Sequence, residues 1–218
     1  MGGDARASLS HVLWIGGGPQ AGKTTLSRLL AGKYDLRVYN LDWHQVREHA
    51  QRAGQAAQAF AALSMDERWA RPTVAELVER SIRIWEELFA LAVEDLLALP
   101  RTRPIVAEGP GAFPWLVDEL IDSPHQAIFL VPTPARREVV AVERWGPGQR
   151  ERFPGIIDRG AGIEKVRERD WLTDELIVSA CELLGLRCER VDGTRDLDAS
   201  LALLEEQFGD LLPATVNA

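Results

Sequence analysis

The chain alternates between short, continuous apolar runs and longer stretches in which apolar residues recur at helical spacing. The continuous runs have the length of buried strands and predict five of them, at residues 11–15, 36–41, 104–109, 127–131 and 187–191. Helical spacing and capping signals predict helices that begin near residues 25, 45, 64, 74, 114, 133 and 171 and after residue 194. Strands that alternate with helices in this way predict an α/β fold of three layers, a parallel sheet with helices on both faces.

The segment between the second and third predicted strands is long and helical. Two capping boxes, at residues 64–67 and 73–76, each mark the start of a helix. After the second box, apolar residues keep helical spacing down to Pro100. Residues 43–100 are therefore predicted to form a helical insertion within one domain that spans residues 1–218.

A second segment, residues 145–170, is rich in Gly, Pro and Arg and has no clear period. This composition predicts a mobile loop that acts as a lid over a site. The next helix is expected only from Trp171 to Leu184, and Gly185 ends it.

One stretch, Gly17–Thr24 with the sequence GGPQAGKT, matches the Walker A pattern G-x-x-x-x-G-K-[ST] at every fixed position. It follows a predicted strand and precedes a helix, so backbone N–H groups and the helix N-terminus can hold a phosphate chain. Lys23 is expected to reach the β- and γ-phosphates, and the Thr24 hydroxyl to bind Mg²⁺. The predicted nucleotide-binding residues of this segment are Gly17, Gly18, Pro19, Gln20, Ala21, Gly22, Lys23, Thr24 and Thr25.

Two acidic residues follow the second and third predicted strands. Because the carboxyl ends of parallel strands meet at one rim of the sheet, Asp42 and Glu108 are expected to lie near Lys23. Asp42 can take the proton of an acceptor hydroxyl or help to position Mg²⁺, and its residue type also suits a helix N-cap. Glu108 is interpreted as a metal ligand, directly or through water, or as the base in place of Asp42. The alternative role for Glu108 is an ion pair with a nearby arginine.

Arginines are concentrated in and beside the predicted lid. Phosphoryl transfer spreads negative charge over the γ-oxygens, and arginines on a closing loop can neutralise that charge. Acidic residues are interleaved with these arginines, which indicates a solvated surface for most of them. Arg144, Arg152 and Arg159 are the candidates selected for catalysis.

Tryptophans and further arginines in and near the insertion have two interpretations each. The tryptophans either pack in the core or wall an apolar substrate pocket, and they are Trp43, Trp69, Trp85 and Trp115. The arginines are either ordinary surface residues or contacts to an acidic group of an acceptor, and they are Arg71, Arg80 and Arg83.

Composition narrows the function classes. The formal net charge is −8, which argues against a general binder of nucleic acid or of anionic membranes. Cys181 and Cys188 are the only cysteines, too few for a disulfide framework, and are read as reduced cytosolic thiols. The sequence has no signal peptide pattern and no apolar stretch of membrane-spanning length, so a cytoplasmic protein is expected.

With these motifs, the chain resembles the nucleoside-monophosphate-kinase-like group of P-loop kinases, which includes small-molecule kinases and antibiotic phosphotransferases. The resemblance covers most of the chain in layout, and only the Walker A segment is highly specific. It implies a five-stranded parallel sheet of order 2-3-1-4-5, an acceptor-binding region after the second strand and a lid after the fourth. It also implies ATP and Mg²⁺ as cofactors, Arg144 packed on the adenine, and the turn Asp192, Gly193 and Thr194 along the adenine.

The chain departs from the nucleotide kinases at Ala107-Glu108-Gly109 and in its long insertion. We therefore expect a kinase whose acceptor is the hydroxyl of a small metabolite or antibiotic. The alternatives are a nucleoside monophosphate kinase, a kinase of nucleotide sugars, and a nucleotide-dependent switch that acts on a protein partner. The protein is expected to be a monomer or a homodimer.

Overall fold

The computed structural model describes residues 2–145, 155–157 and 159–216, and its centre is a parallel sheet. The strands are β1 (Val12–Gly17), β2 (Arg37–Asn40), β3 (Ile105–Glu108), β4 (Ala127–Pro132) and β5 (Arg187–Val191). Their spatial order is β2-β3-β1-β4-β5, which confirms the predicted five-stranded order. Strands β1, β3 and β4 are buried along their whole length because helices cover both faces of the sheet.

The α-helices lie between and around these strands. They are α1 (Gly2–Ser8), α2 (Lys23–Tyr34), α3 (Leu41–Arg47), α4 (Gln55–Ala62), α5 (Met65–Trp69), α6 (Val74–Ala98), α7 (Pro114–Val117), α8 (Pro134–Trp145), α9 (Arg159–Leu184) and α10 (Leu197–Phe208). Short 3₁₀ helices occur at His49–Gln51, Asp118–Leu120, Pro124–Gln126 and Gly209–Leu211. Within the described residues, no helix is both long and apolar enough to cross a membrane.

Successive side chains of β1 point to opposite faces of the sheet, and each face packs against its own half of the core. Trp14 faces the half that also contains Phe129 and the helices α6, α7 and α9. Leu13 and Ile15 face the other half, which contains α2 and α10. The two faces of one strand therefore hold helix layers on opposite sides of the sheet.

The insertion between β2 and β3 is helical, as predicted. Both capping boxes form: Ser64 caps α5 with Glu67, and Thr73 caps α6 with Glu76. Helix α4 was not predicted from the sequence, because its alanine-rich stretch lacks an apolar period and contains no buried residue.

The prediction of a loop up to Asp170 is wrong from Arg159 onward, whereas the described residues 155–157 are non-helical. Helix α9 begins at Arg159, twelve residues before the predicted Trp171. Glycines lower helix propensity and obscured the period there. In the structure Gly162, Val166 and Asp170, each four residues apart, are buried, and α9 packs on α5 and α6. Residues 146–154 and 158 of the predicted lid lie outside the described residues.

Candidate active site

The loop after β1 has the backbone conformation of a phosphate cradle. Gly17, Gln20 and Gly22 have positive φ values of 109°, 70° and 84°. Gly22 is the N-cap of α2, so the first amides of this helix face the loop without intrahelical partners. A Cβ on Gly17 would lie 2.1 Å from the carbonyl oxygen of Leu130, so only glycine fits this point. A sheet of order 2-3-1-4-5 with this loop after β1 is the three-layer P-loop NTPase fold.

Lys23 lies inside this loop and is buried. Its Nζ donates to the carbonyl oxygens of Gly17, at 3.1 Å, and Gly18, at 2.6 Å. Burial lowers the pKa of Lys23, while the negative charges of Asp42 and Glu108 oppose that shift. The ammonium group is therefore held by neutral carbonyls at the place where the motif predicts phosphate oxygens.

Glu108 closes the rim at the end of β3 and is only 1% exposed. Its register partners are Ile15 in β1 and Asn40 in β2. Its Oε1 accepts from the Thr24 hydroxyl at 2.9 Å and from Asn40 Nδ2. No arginine pairs with Glu108 within the described residues, so the ion-pair interpretation is wrong for this part of the chain.

The pair of Thr24 and Glu108 fits a magnesium site. A hydroxyl and a carboxylate are hard oxygen donors of the kind that Mg²⁺ prefers. The Thr24 hydroxyl donates to Glu108 next to the P-loop, so the two oxygens are close enough to bind one Mg²⁺ ion together. The hydrogen bonds to Glu108 come from the neutral donors Thr24 and Asn40, so a cation could bind this carboxylate without displacing an ion-pair partner among the described residues.

Asp42 lies in the first turn of α3, just beyond β2. It is not the N-cap: Asn40 holds that position, and its Oδ1 accepts from Trp43 N at 2.7 Å. Asp42 is an exposed residue, but protein surrounds much of its carboxyl group, and this desolvation raises the pKa of Asp42. The negative charge of Glu108 raises that pKa further, and the positive charge of Lys23 lowers it. A carboxylate with a raised pKa is a stronger base, which suits removal of a hydroxyl proton.

A first cavity of about 270 Å³ lies on the α2 side of the P-loop. The predicted residues that line it are Gln20, Ala21, Gly22, Thr25, Arg144, Asp192 and Gly193. Thr194 fixes the adjacent turn by donating its backbone N–H and its hydroxyl to Asp192 Oδ1, at 2.9 and 2.7 Å. Arg136 also lines this cavity, next to Gly193, and was not predicted.

A second cavity, of about 330 Å³, lies on the other side of the P-loop. Gly17, Gly18, Pro19 and Asp42 form the end of this cavity at the loop. Its remaining wall is contributed mainly by the insertion and by α9, and it includes Phe60, Trp69, Arg80, Trp85, Phe113 and Arg169.

Only some of the tryptophans and arginines predicted for a pocket reach this second cavity. Trp69, Trp85 and Arg80 line it. Trp43 is 48% exposed and lies under Arg47, while Trp115 stacks on Phe113 and donates to Glu86. Arg71 and Arg83 are exposed and pair with Glu67 and Glu79.

The three catalytic arginine candidates are separated in the structure. Arg144 lines the first cavity from the last turn of α8 and is exposed. Arg159 begins α9 and lines a groove between α8 and α9 with Trp145 and Arg167. Arg152 lies outside the described residues. A role in catalysis for Arg144, Arg152 and Arg159 stays a prediction.

A buried arginine that sequence reasoning missed lies beside the P-loop. Arg137 of α8 is 6% exposed, and its Nη1 is 3.4 Å from Gln20 Oε1 and 3.3 Å from Asp170 Oδ2. Its Nη2 donates to Asp174 Oδ2. The spacing of Asp170 and Asp174 places both on one face of a helix, a signal that was lost when residue 170 was assigned to a loop.

Asp174 is packed against the P-loop backbone. A Cβ on Gly18 would lie 2.1 Å from Asp174 Oδ1, and this oxygen has no hydrogen-bond partner within the described residues. Burial raises the pKa of Asp174 to about 6, although Arg137 opposes the shift. Charged side chains of α8 and α9 therefore contact the phosphate-binding loop directly, Arg137 at Gln20 and Asp174 at Gly18.

Comparison with known proteins gave matches among solved structures alone. No family model and no curated protein matches the chain. The chain is similar to shikimate kinase from Bacteroides thetaiotaomicron, with 17% identity, a TM-score of 0.40, and coverage of 89% of this chain and 96% of that one. It is also similar to TT1252 from Thermus thermophilus, with 18% identity, a TM-score of 0.46 and the same two coverages. With TM-scores below 0.5, neither similarity bears on activity.

Proposed function

We propose that this protein is an ATP- and Mg²⁺-dependent phosphotransferase that moves the γ-phosphoryl group to a hydroxyl of a small molecule. The observation that carries the proposal is the P-loop between two cavities. Gln20 to Gly22 line the first cavity, and Gly17 to Pro19 line the second together with Asp42. A transferase needs a donor site and an acceptor site that meet at the transferred group, and two cavities that share the P-loop support this function.

The nucleotide occupies the first cavity in this proposal. Its base lies near Arg144 and the turn at Asp192 and Gly193, and its phosphates lie along the loop amides. Lys23 exchanges its two carbonyl acceptors for β- and γ-phosphate oxygens. A bound Mg²⁺ would neutralise charge on these oxygens, and Thr24 and Glu108 are the residues that would hold it.

The acceptor occupies the second cavity. Its hydroxyl oxygen forms a bond to the γ-phosphorus, and the bond from that phosphorus to the bridging oxygen of ADP breaks. The hydroxyl proton passes to the carboxylate of Asp42, and ADP carries away the negative charge of the leaving oxygen. Asp42 therefore acts as the base, and Glu108, held by Thr24 and Asn40, has the metal-binding role.

The experiment is an assay of ADP release with Mg²⁺–ATP across sugars, sugar acids, hydroxylated aromatic acids, hydroxylated antibiotics and nucleoside monophosphates. We expect release that depends on one acceptor class, stops when EDTA removes Mg²⁺, and is lost in Lys23→Ala. The matched control is Lys33→Ala on the same helix, an exposed lysine that pairs with Glu205. ADP release that is the same with and without every acceptor would contradict the proposal and favour a nucleotide-dependent switch.

A further inference from the structure

The second cavity has aromatic walls that come from separate parts of the chain. The Phe60 and Trp69 rings are in edge-to-face contact, with their centroids 5.4 Å apart and their planes at 80°. Trp85 of α6 and Phe113, which precedes α7, complete the wall. Aromatic faces arranged around a space of about 330 Å³ favour a small, flat ligand that can stack against them.

Two arginines line the same cavity next to these rings. The Arg80 guanidinium lies 5.2 Å from the Phe60 ring and donates to the backbone carbonyls of Glu67, at 3.3 Å, and Arg68. Arg169 lies 5.6 Å from the Trp69 ring. Its Nη1 donates to Ser81 Oγ at 2.8 Å.

The positive charge of this arginine pair is only partly offset by the protein. Arg80 makes no ion pair with a carboxylate within the described residues. Arg169 pairs with Asp170 at 2.6 Å, but Asp170 also contacts the buried Arg137. The Nε of Arg169 is buried and has no acceptor among the described residues. An anionic group on a ligand would supply the missing charge and hydrogen-bond acceptors.

Burial lowers the pKa of Arg80, and the positive charge of Arg169 lowers it further, which reflects two cations held close together. Two acids also line the cavity: Asp170, which pairs with Arg169, and Asp42, which lies beside the P-loop. The wall therefore combines aromatic rings and the two arginines of α6 and α9 with the Asp42 carboxylate next to the phosphate-binding loop.

From this combination of aromatic rings, two arginines whose charge is only partly offset and a carboxylate beside the P-loop, we infer that the acceptor is a small, hydroxylated, planar ring compound that carries an anionic group. The ring stacks between the aromatic side chains, the anionic group pairs with Arg80 and Arg169, and the hydroxyl points toward Asp42. This inference rests on the proposed function for the role of the hydroxyl, whereas the binding chemistry of the cavity is independent of it. The anionic group has two sources, a carboxylate as in an aromatic acid or a phosphate as in a nucleoside monophosphate.

Binding without nucleotide tests this inference separately from turnover. Calorimetry on the full chain would compare hydroxylated benzoates and cinnamates, nucleoside monophosphates, the neutral amides of the same aromatic acids, and non-aromatic sugar acids. We expect at least one ring-bearing anion to bind about tenfold or more tightly than both its neutral amide and the sugar acids. Binding of an aromatic acid would show that the anionic group is a carboxylate, and binding of a nucleoside monophosphate would show that it is a phosphate. Equal binding of acid and amide, tighter binding of the sugar acids, or no binding by any ring-bearing anion overturns the inference.

Two variants test whether Arg80 contacts the anionic group of the ligand: Arg80→Met and its matched control, Arg83→Met. Both residues lie on α6, and Arg83 is exposed and pairs with Glu79. The first change is expected to weaken binding of the ring-bearing anion about tenfold or more while its amide is little affected, and the second to change neither. A loss that is equal for acid and amide would contradict the anion contact. Because Arg80 also holds α5, thermal unfolding of both variants would be measured, and the comparison of ligands on the unmodified protein does not depend on this variant.

The two proposals can fail separately. A ring-bearing anion that binds as described but never promotes ADP release would contradict the phosphotransferase function and leave the cavity chemistry standing. ADP release that is supported by neutral or non-aromatic acceptors would contradict the inference and leave the phosphotransferase function standing.

Discussion

The two cavities that meet at the P-loop are built in different ways. The first is lined by the loop, by α8 and by the turn after β5, and many of its side chains are charged, among them Arg136, Glu143, Arg144 and Arg190. The second is walled by aromatic residues of the insertion together with an arginine pair. Under the proposed function, this difference would let the side with the mixed charges hold the nucleotide and the aromatic side select the acceptor by its ring and its charge.

Asp42→Asn is expected to have the largest effect on the acceptor side alone. Loss of a general base typically lowers the rate by roughly 10²–10⁴-fold, and the amide keeps the shape of the side chain. Steady-state kinetics with the best acceptor would measure the fall in kcat, and calorimetry would show the affinity for the nucleotide little changed. A fall of less than about threefold in kcat would remove Asp42 from the role of base.

Arg137→Met tests the buried network that links α8 and α9 to the loop. The change leaves Asp174 buried without its cation and leaves Asp170 with Arg169 alone, and breaking a buried pair typically costs about 3–5 kcal/mol in the free energy of unfolding. Urea denaturation would measure the loss, and Arg136→Met, at the neighbouring position on the open first cavity, serves as control. Equal stability of the two variants would contradict a structural role for the network.

The pH dependence of stability provides a narrower test of the same network. The unfolded chain releases the Asp174 proton near pH 3.8, and the folded protein holds it up to about pH 6. The contribution of Asp174 to the free energy of unfolding therefore falls as pH rises through that interval, by roughly 3 kcal/mol. Denaturation at several pH values should show this slope in the unmodified protein and not in Asp174→Asn. The same slope in both proteins would assign the titration to another group.

Arg144→Ala is expected to have the smallest effect of this series. The residue is exposed and lines the first cavity, where packing against the base of a nucleotide contributes about 1 kcal/mol. The KM for ATP should rise a few-fold with little change in the KM for the acceptor. A selective rise in the KM for the acceptor would contradict the assignment of the first cavity to the nucleotide.

The donor side could be predicted from the sequence because its information is contiguous. The P-loop lies in one segment, and the acids Asp42 and Glu108 follow strands whose apolar runs are continuous, so the rule for parallel sheets brought them to one rim. The sequence also predicted Glu108 as an acid beside Thr24, and the structure brings the Thr24 hydroxyl within 2.9 Å of Glu108 Oε1, while metal binding by this pair stays a prediction.

The acceptor side could be predicted only in part, because its residues converge through tertiary packing. Trp69, Trp85 and Arg80 were recognised as residues with two interpretations, and no local pattern separated them from Trp43 or Arg83. Arg169, one of the arginines at the predicted lid, was not selected as a candidate, and the network of Arg137 was missed. The glycines near the start of α9 obscured a helical period that packing against α5 and α6 stabilises.

The most direct test follows the γ-phosphate itself. ATP labelled at the γ-position would be incubated with the chain, Mg²⁺ and the best-binding ring compound, and the label would be traced to the acceptor or to inorganic phosphate. We expect labelled acceptor with the unmodified protein, strongly reduced labelling with Asp42→Asn, and no transfer with Lys23→Ala. Label that appears only as inorganic phosphate, at a rate that no acceptor changes, would contradict a P-loop that joins a donor site to an acceptor site.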